Sequence, residues 1–192
     1  MIAIVKYNAG NIKSVENALL RLGYDCVVTD DAKTLMEADK VIFPGVGEAK
    51  SAMEYLIKKE LDQVILNLKQ PVLGICLGLQ LMCSKSEEGN TSCLGIFKNK
   101  VLRFEEIDLV PHMGWNNINM LKGKLFKGIE SNEDTYFVHS YYAEVSENTS
   151  ALCEYIVPFS ASLEKNNFYA TQFHPEKSAD IGEKILKNFL EL

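Results

Sequence analysis

The sequence predicts an α/β fold with a doubly wound, mainly parallel sheet and a β-rich second half. In the first half, short apolar segments alternate with amphipathic helical segments, which is the pattern of successive β-α units. Glycine-rich turns follow two of the apolar segments, where parallel sheets of this kind bind their ligands. At 192 residues, of which 47% are hydrophobic, the chain fits one domain with a sizeable core, so we expect residues 1–192 to form a single domain.

The first half contains four predicted strands with helices between them. The first helix is expected to follow the N-cap residue Asn11 and to end at Gly23, because apolar residues recur between them at helical spacing. The predicted strands are residues 2–6, 25–28, 40–43 and 72–75, a turn is expected at 7–10, and two further helical segments are residues 32–37 and 48–68.

From about residue 84 the pattern changes to β-structure. A polar segment at 84–92 is predicted to be a loop, and alternation with aromatic residues predicts strands at 94–104, 135–145, 151–157, 159–163 and 168–173. The chain ends in a predicted helix at 179–190, in which Ile181, Ile185, Leu186 and Phe189 share one face. This helix should therefore pack back against the sheet.

A cysteine stands at the turn between the fourth strand and a helix-like segment. Cys76 lies between Gly74 and Gly78, an arrangement typical of a nucleophile elbow. The glycines leave room for neighbouring backbone, and the amides that begin a helix favour a thiolate and can receive an oxyanion, Leu77 N–H first among them. On this stretch alone, a buried core cysteine is an equally good interpretation.

A thiol nucleophile requires a base, and the chain has three histidines. His174 ends a strand-like segment and is followed two residues later by Glu176. If that segment stays extended, both side chains project to one side, and the carboxylate can orient the imidazole as a general base. His112 and His139 have no such carboxylate beside them. A structural, hydrogen-bonded histidine is the competing interpretation, and the pairing with an elbow cysteine favours catalysis.

The segment Pro44-Gly45-Val46-Gly47 is a second place where the backbone can act on a ligand. Two glycines around one residue allow a peptide N–H to turn toward a developing negative charge, which would complete an oxyanion hole. A tight β-α turn that needs glycine only for packing explains the segment as well. The third glycine of a dinucleotide-binding motif is absent.

Charge and cysteine usage narrow the classes of function. A net charge of −6 argues against a general surface for nucleic acid or anionic membranes. Five cysteines show neither metal-ligand spacing nor a disulfide framework, so we expect reduced thiols, no metal and no cofactor. Since no segment has the pattern of a signal peptide or a membrane span, a soluble, cytoplasmic protein is expected.

These motifs together resemble those of a known family. The segment from Gly74 to Gln80 resembles the G-x-C-x-G-x-Q elbow of class I, triad-type glutamine amidotransferases, and His174-Pro175-Glu176 resembles their H-P-E element. Within that class, the chain resembles the glutaminase subunits of imidazole glycerol phosphate synthase, a bacterial enzyme of histidine biosynthesis. The matching segments are Tyr7-Asn8-Ala9-Gly10-Asn11, Pro44-Gly45-Val46-Gly47, Pro111-His112-Met113-Gly114-Trp115-Asn116 and His174-Pro175-Glu176-Lys177-Ser178. One departure is Lys6, where relatives more often carry an acidic residue.

The resemblance implies a flavodoxin-like, doubly wound mixed sheet and a Cys-His-Glu triad that hydrolyses L-glutamine to glutamate and ammonia. Cys76 would attack the side-chain amide, His174 would protonate the leaving ammonia and then activate water, and Glu176 would orient His174. The residues implied for holding glutamine or its oxyanion are Gly45, Val46, Leu77, Gln80, Ser140 and Tyr141.

The resemblance also implies a protein partner. Ammonia would pass to a separate β/α-barrel cyclase subunit in a heterodimer, and the implied interface residues are Asn11, Trp115, Asn116 and Lys177. Trp115 lies in a segment, 111–116, that the sequence predicts to be a loop. The alternatives are a paralogue that feeds a different barrel, a cysteine hydrolase of the same superfamily, and a non-catalytic flavodoxin-like binding module.

Overall fold

A seven-stranded mixed sheet forms the centre of the protein. The computed structural model describes residues 1–8 and 10–192, so Ala9, in the turn predicted at 7–10, lies outside the described residues. With strands numbered in chain order, the sheet runs in space as β11 (Thr149–Glu154), β12 (Pro158–Lys165), β13 (Phe168–Thr171), β4 (Val72–Cys76), β3 (Lys40–Gly45), β1 (Ile2–Val5) and β2 (Cys26–Thr29).

The five strands from β13 to β2 are parallel, whereas β12 and β11 are antiparallel additions at one edge. This arrangement confirms the predicted mixed, doubly wound α/β sheet. Its parallel part brings the carboxyl ends of β3, β4 and β13 side by side, and a ligand site is expected at such an edge.

Helices cover both faces of the sheet. Successive residues of each strand point to opposite sides, and since both sets of side chains are apolar, both faces must be buried. Ile4 belongs to the hydrophobic cluster under α1 and α6, and Val5 to the cluster under α2 to α5. The helices are α1 (Ile12–Arg21), α2 (Ala32–Glu37), α3 (Ala49–Lys58), α4 (Leu61–Asn67), α5 (Leu77–Met82) and α6 (Ala179–Leu190). Among the described helices, none has the length and apolar character needed to cross a bilayer.

Two helix predictions need correction. The segment predicted as one helix at 48–68 forms two, α3 and α4, because Glu60 between them has a φ of 56°, which no helix interior accepts. Asn11 precedes α1 as predicted, but its side chain makes no capping hydrogen bond. The bounds predicted for α2 and α6 are confirmed.

Two smaller sheets account for much of the β-rich second half. The first contains β10 (Tyr141–Ala143), β7 (Lys100–Arg103), β5 (Lys85–Ser86) and β6 (Thr91–Ser92) in that spatial order, and the second pairs β8 (His112–Ile118) with β9 (Glu133–His139).

Several predictions in this half were wrong in detail. The predicted loop at 84–92 contains the short strands β5 and β6, and only the end of the predicted strand at 94–104 is a strand, because Gly95 turns the chain with a φ of 72°. The predicted strand at 135–145 is interrupted at Ser140. Residues 111–116, predicted to be a loop, largely form β8, which pairs with β9.

Candidate active site

Cys76 lies at a sharp turn where β4 meets α5. Its φ of 54° and ψ of −106° place a non-glycine residue in a strained region of backbone conformation, as in a nucleophile elbow. Gly78 makes the turn sterically feasible, since a Cβ there would lie 1.9 Å from the Phe43 carbonyl oxygen. At Gly74, a Cβ would lie 2.9 Å from Met82 Sδ. The glycines around the cysteine therefore serve close packing, as the sequence predicts.

Strand register brings the other predicted site segments to the level of Cys76. Gly45, at the end of β3, is paired with Cys76, and Thr171, at the end of β13, is paired with Ile75. The chain that leaves β13 then carries His174 past the same edge. The structure thus gathers the nucleophile, the glycine-rich segment and the histidine at the carboxyl ends of three adjacent strands.

His174 and Glu176 form a buried pair. His174 Nδ1 donates to Glu176 Oε1 at 2.7 Å, and both side chains are fully shielded from solvent. Contrary to our prediction, the segment is not extended but turns through a short 3₁₀ helix at Pro175–Lys177. Ser178 Oγ donates to the His174 carbonyl at 2.7 Å and closes this turn. The pair is therefore formed by a tight turn and not by strand alternation.

Asn11 supports the acid of this pair. Its Nδ2 donates to Glu176 Oε1, the oxygen that also accepts from His174 Nδ1. This hydrogen bond orients the Asn11 side chain toward Glu176, and the φ of 71° at Asn11 departs from the extended backbone of an N-cap residue, so the side chain does not cap α1. Asn11 is half-buried, and its predicted contact with a partner stays a prediction. Its hydrogen bond to the predicted triad acid is a role that sequence reasoning missed.

The surroundings of His174 favour the imidazolium form. Burial disfavours the charge, but a Cys76 thiolate and the hydrogen-bonded Glu176 carboxylate favour it, and together they raise the pKa of His174 to about 10. Nδ1 is engaged with Glu176, and Nε2 has no hydrogen-bond partner among the described residues. The ring therefore presents Nε2 as the atom that can exchange a proton at the nucleophile.

A buried glutamine that sequence reasoning missed lies beside the nucleophile. Gln172 Nε2 donates to Cys76 Sγ at 3.7 Å, while its Oε1 accepts from Gln80 Nε2 at 3.1 Å. Its signal in the sequence was a polar residue in an otherwise apolar strand-like segment, two positions before His174. Gln172 thus connects the sulfur to the predicted substrate-binding residue Gln80.

A cavity of about 350 Å³ opens beside Cys76. This volume suits a small ligand such as an amino acid. The predicted binding residues Val46, Leu77, Gln80, Ser140 and Tyr141 line it, together with Gly47, Glu88, Pro111, Val138 and His139, which the sequence did not single out as ligand-binding.

Gly45 is not among the lining residues, and its role is steric. A Cβ at Gly45 would lie 2.0 Å from Tyr7 Oη, which donates to the Pro44 carbonyl at 2.6 Å. Burial, and then the charge of Cys76, raise the pKa of Tyr7 far above its usual range, so the phenol stays a neutral donor. Through this hydrogen bond Tyr7 holds the glycine-rich segment 44–47 in place.

Gln80 is held by the protein as well as facing the cavity. Its Nε2 donates to the Tyr141 carbonyl at 2.9 Å and to Gln172, which leaves Oε1 for a ligand. Gln80 is 5% exposed. Gln80 therefore positions the Tyr141 backbone, in addition to the predicted contact with substrate.

Three of the predicted interface residues lie on or beside one surface. Trp115 is 55% exposed and meets Tyr136 edge-on at 5.9 Å, and Lys177 Nζ lies 5.9 Å from the centre of the same Tyr136 ring. Asn116 is half-buried next to Trp115 on β8. An exposed tryptophan with a cation beside it suits a protein interface.

Comparison with known proteins identifies the family of this site. The family model "Glutamine amidotransferase class-I" matches residues 3–192. Imidazole glycerol phosphate synthase subunit HisH of Bacteroides fragilis is 61% identical, over 100% of this chain and 99% of its own length. The subunit of the same name from Bacteroides thetaiotaomicron is 58% identical with the same coverage.

Solved structures agree on the fold. One described as a glutamine amidotransferase superimposes with a TM-score of 0.73 at 18% identity, over 99% of this chain and 97% of its own. A glutamine amidotransferase from Thermotoga maritima superimposes with a TM-score of 0.65 at 17% identity, over 99% of this chain and 82% of its own. With the Cys76 elbow, the buried His174–Glu176 pair and the full-length match to the family model, the chain belongs to the class I glutamine amidotransferases.

Proposed function

We propose that Cys76, His174 and Glu176 form the triad with which this chain hydrolyses L-glutamine to glutamate and ammonia. The observation that carries the proposal is the buried His174–Glu176 pair placed at the same sheet edge as an elbow cysteine, beside a cavity of about 350 Å³. A structural cysteine would need neither the strained turn nor a charged histidine nearby.

The first half of the reaction is acyl transfer to sulfur. The Cys76 thiolate attacks the side-chain amide carbon, and the oxyanion is received by Leu77 N–H and a peptide N–H of the Gly45–Val46 segment. His174 Nε2 then gives its proton to the nitrogen as the C–N bond breaks. Ammonia leaves, and a thioester joins Cys76 to the glutamyl group.

The second half regenerates the thiolate. Neutral His174 takes a proton from water as the water attacks the thioester, and the C–S bond breaks to release glutamate and the Cys76 thiolate, with His174 again protonated. Glu176, supported by Asn11, holds the imidazole so that Nε2 faces the reaction.

The lining of the cavity suits a free amino acid. Ser140 and the Tyr141 segment, with Gln80 Oε1, supply polar contacts to glutamine. Glu88 places a carboxylate at the cavity while one of its oxygens accepts from Ala49 N–H at 2.7 Å. We assign Glu88 to the α-ammonium group of the substrate, because it is the one carboxylate among the lining residues of the described chain.

The chain acts as the glutaminase subunit of imidazole glycerol phosphate synthase, in histidine biosynthesis. Its ammonia is delivered to a cyclase subunit, since ammonia released to bulk water would be protonated and diluted. We assign the partner a β/α-barrel fold in a heterodimer, located in the cytoplasm. Exposed Trp115 and Lys177, with Asn116 and Asn11 nearby, are the contacts we assign to it.

Glutamate release tests the proposal directly. Cys76→Ser should lose glutamine hydrolysis by several orders of magnitude with the fold retained, because an alcohol is a far weaker nucleophile than a thiolate. Cys93→Ser, at a half-buried cysteine away from the cavity lining, is the matched control and should keep activity. Iodoacetamide should label Cys76 first. Activity lost in step with labelling of another cysteine would contradict the assignment.

The partner is tested by copurification from the native host and by adding candidate barrel subunits. We expect the histidine-pathway cyclase to bind and to stimulate glutamate release. Stimulation only by a different barrel protein would instead identify a paralogue that feeds another acceptor.

A further inference from the structure

Two buried histidines connect the cavity to the protein surface, and the proposed reaction uses neither. His112 on β8 and His139 on β9 are paired across the two strands and are 4% and 5% exposed. His112 Nδ1 lies 2.9 Å from His139 Nε2. His139 Nδ1 lies 2.8 Å from the Tyr141 carbonyl, to which Gln80 Nε2 also donates at 2.9 Å.

The inner end of this chain fixes the position of its protons. A carbonyl oxygen can only accept, so His139 Nδ1 must carry a proton and donate to Tyr141. In a neutral imidazole the other nitrogen is then an acceptor. His139 Nε2 therefore accepts from His112 Nδ1, and His112 Nε2 is left as an acceptor in turn.

The outer end requires the same arrangement independently. Asn117 N–H donates to Asn116 Oδ1 at 2.8 Å, and Asn116 Nδ2 donates to the Glu154 carbonyl at 3.0 Å, so backbone partners fix the orientation of the Asn116 amide. The same Nδ2 lies 3.2 Å from His112 Nε2, which must accept from it. One set of proton positions thus satisfies every contact from Asn116 to Tyr141.

Both rings remain neutral in their surroundings. Burial lowers the pKa of His112 to about 4, and burial also lowers the pKa of His139 to about 3, outweighing its hydrogen bond to the Tyr141 carbonyl. Aromatic neighbours hold the rings in place: Phe137 stacks on His112 at 4.8 Å, and Phe104 lies 5.4 Å from His139. The pair is therefore a rigid connection with a single direction of hydrogen bonding.

We propose that His112 and His139 are positioning residues that hold the Tyr141 carbonyl, and through it Gln80, in the arrangement that glutamine binding requires, with Asn116 as the surface end of the same chain of hydrogen bonds. The inference rests on the proposed glutamine site. Because Asn116 adjoins exposed Trp115, a partner that reoriented Asn116 would act on the cavity through these two rings.

Imidazole ¹⁵N chemical shifts of the full chain test the arrangement without disturbing the pair. With three histidines in all, each ring can be assigned by a single substitution. We expect His112 and His139 to be neutral at pH 7 with the proton on Nδ1. Asn116→Ala should shift the His112 Nε2 resonance and leave His174 unchanged. A proton on Nε2 of either ring, or an unchanged His112 in the variant, would overturn the proposal.

Glutamine affinity tests the positioning role. In a Cys76→Ser background, which prevents turnover, calorimetry should show that His139→Phe weakens glutamine binding about tenfold, or about 1.4 kcal/mol, as expected for the loss of the hydrogen bond that holds the Tyr141 carbonyl. His139→Asn keeps a donor at the Nδ1 position and should recover much of the affinity. Phe104→Leu loosens the packing beside His139 without removing a hydrogen bond, so it should weaken glutamine binding less than His139→Phe does.

The outcomes separate the two proposals. Unchanged affinity in a folded His139→Phe chain, or equal losses in His139→Phe and Phe104→Leu, would overturn the positioning role. If the Cys76→Ser chain takes up no glutamine, the proposed substrate is wrong, and the tautomers measured by ¹⁵N shifts still decide whether the hydrogen-bond chain exists.

Discussion

Glu176→Gln removes the charge of the proposed triad acid while keeping its shape. Glu176 Oε1 accepts from His174 Nδ1 at 2.7 Å and also from Asn11 Nδ2, whereas the buried Oε2 has no partner among the described residues. A glutamine whose carbonyl oxygen takes the place of Oε1 keeps both hydrogen bonds, and its amide group occupies the place of Oε2. The substitution therefore tests charge more than geometry.

The expected loss follows from the separation of the charges. In an imidazolium and a carboxylate joined by a hydrogen bond, the centres of the two charges are about 4 Å apart, and they attract by about 4 kcal/mol at an effective dielectric constant of about 20. Since each 1.36 kcal/mol is a factor of ten in rate, turnover should fall on the order of 10³, within the 10²–10⁴ range expected for a triad acid. The pKa of His174, now raised to about 10 partly by Glu176, should fall as well.

The assay is steady-state glutamate release as a function of glutamine concentration at several pH values. We expect a large loss in kcat and a smaller change in KM. Asn11→Ala is the control, because it removes one neutral donor to Glu176 but keeps the charge, and it should cost on the order of tenfold. Near-normal turnover in a folded Glu176→Gln chain, or a loss no larger than in Asn11→Ala, would refute the triad and leave a Cys-His dyad.

Three further predictions concern the surroundings of the triad. Gln172→Leu keeps the volume but removes the amide 3.7 Å from Cys76 Sγ, so turnover and iodoacetamide labelling should fall on the order of tenfold, and unchanged rates would leave Gln172 a core residue. For His139, the unfolded chain gains a proton near pH 6.5 but the folded chain only near pH 3, so the free energy of unfolding should decrease by up to about 1.4 kcal/mol per pH unit as pH falls through that window. Urea unfolding at several pH values measures this slope, which should be smaller in His139→Phe than in the unsubstituted chain. Equal slopes in the two chains would contradict the lowered pKa of His139. Without its partner the chain should be a poor glutaminase, since one missing oxyanion donor costs on the order of 10²–10³ in rate, and Val46→Pro should abolish most of the partner's stimulation. Equal glutamate release with and without the partner would rule out this coupling.

The features that the sequence predicted correctly are local ones. The elbow at Cys76 depends on Gly74 and Gly78 within the same few residues, and the Gly78 contact with Phe43 shows why a side chain is excluded there. The final helix, α6, was predicted to its last residue because its apolar face repeats at helical spacing. In the same way, His174 and Glu176 could be paired from their spacing, although the structure joins them by a 3₁₀ turn.

The predictions that were wrong depended on more distant parts of the chain. Residues 111–116 were predicted to be a loop, yet β8 forms there because β9 supplies its hydrogen-bond partners. The Asn11 side chain could have capped α1 on local grounds, but a hydrogen bond to a buried carboxylate 165 residues away orients it toward the triad instead. In both places a tertiary contact outweighs the local preference.

By itself, the sequence determined the α/β class, the elbow cysteine and the His-Pro-Glu element, because each depends on residues close together in the chain. Only the tertiary structure placed Gln172 against Cys76 Sγ across 96 residues of sequence, and His112 against His139 across 27. Neither contact can be recognised from a spacing of residues in the sequence, because strand order and register decide which side chains meet. The polar contacts around Cys76 therefore depend on how the strands are arranged, whereas the presentation of Cys76 itself depends on the sequence of a single turn.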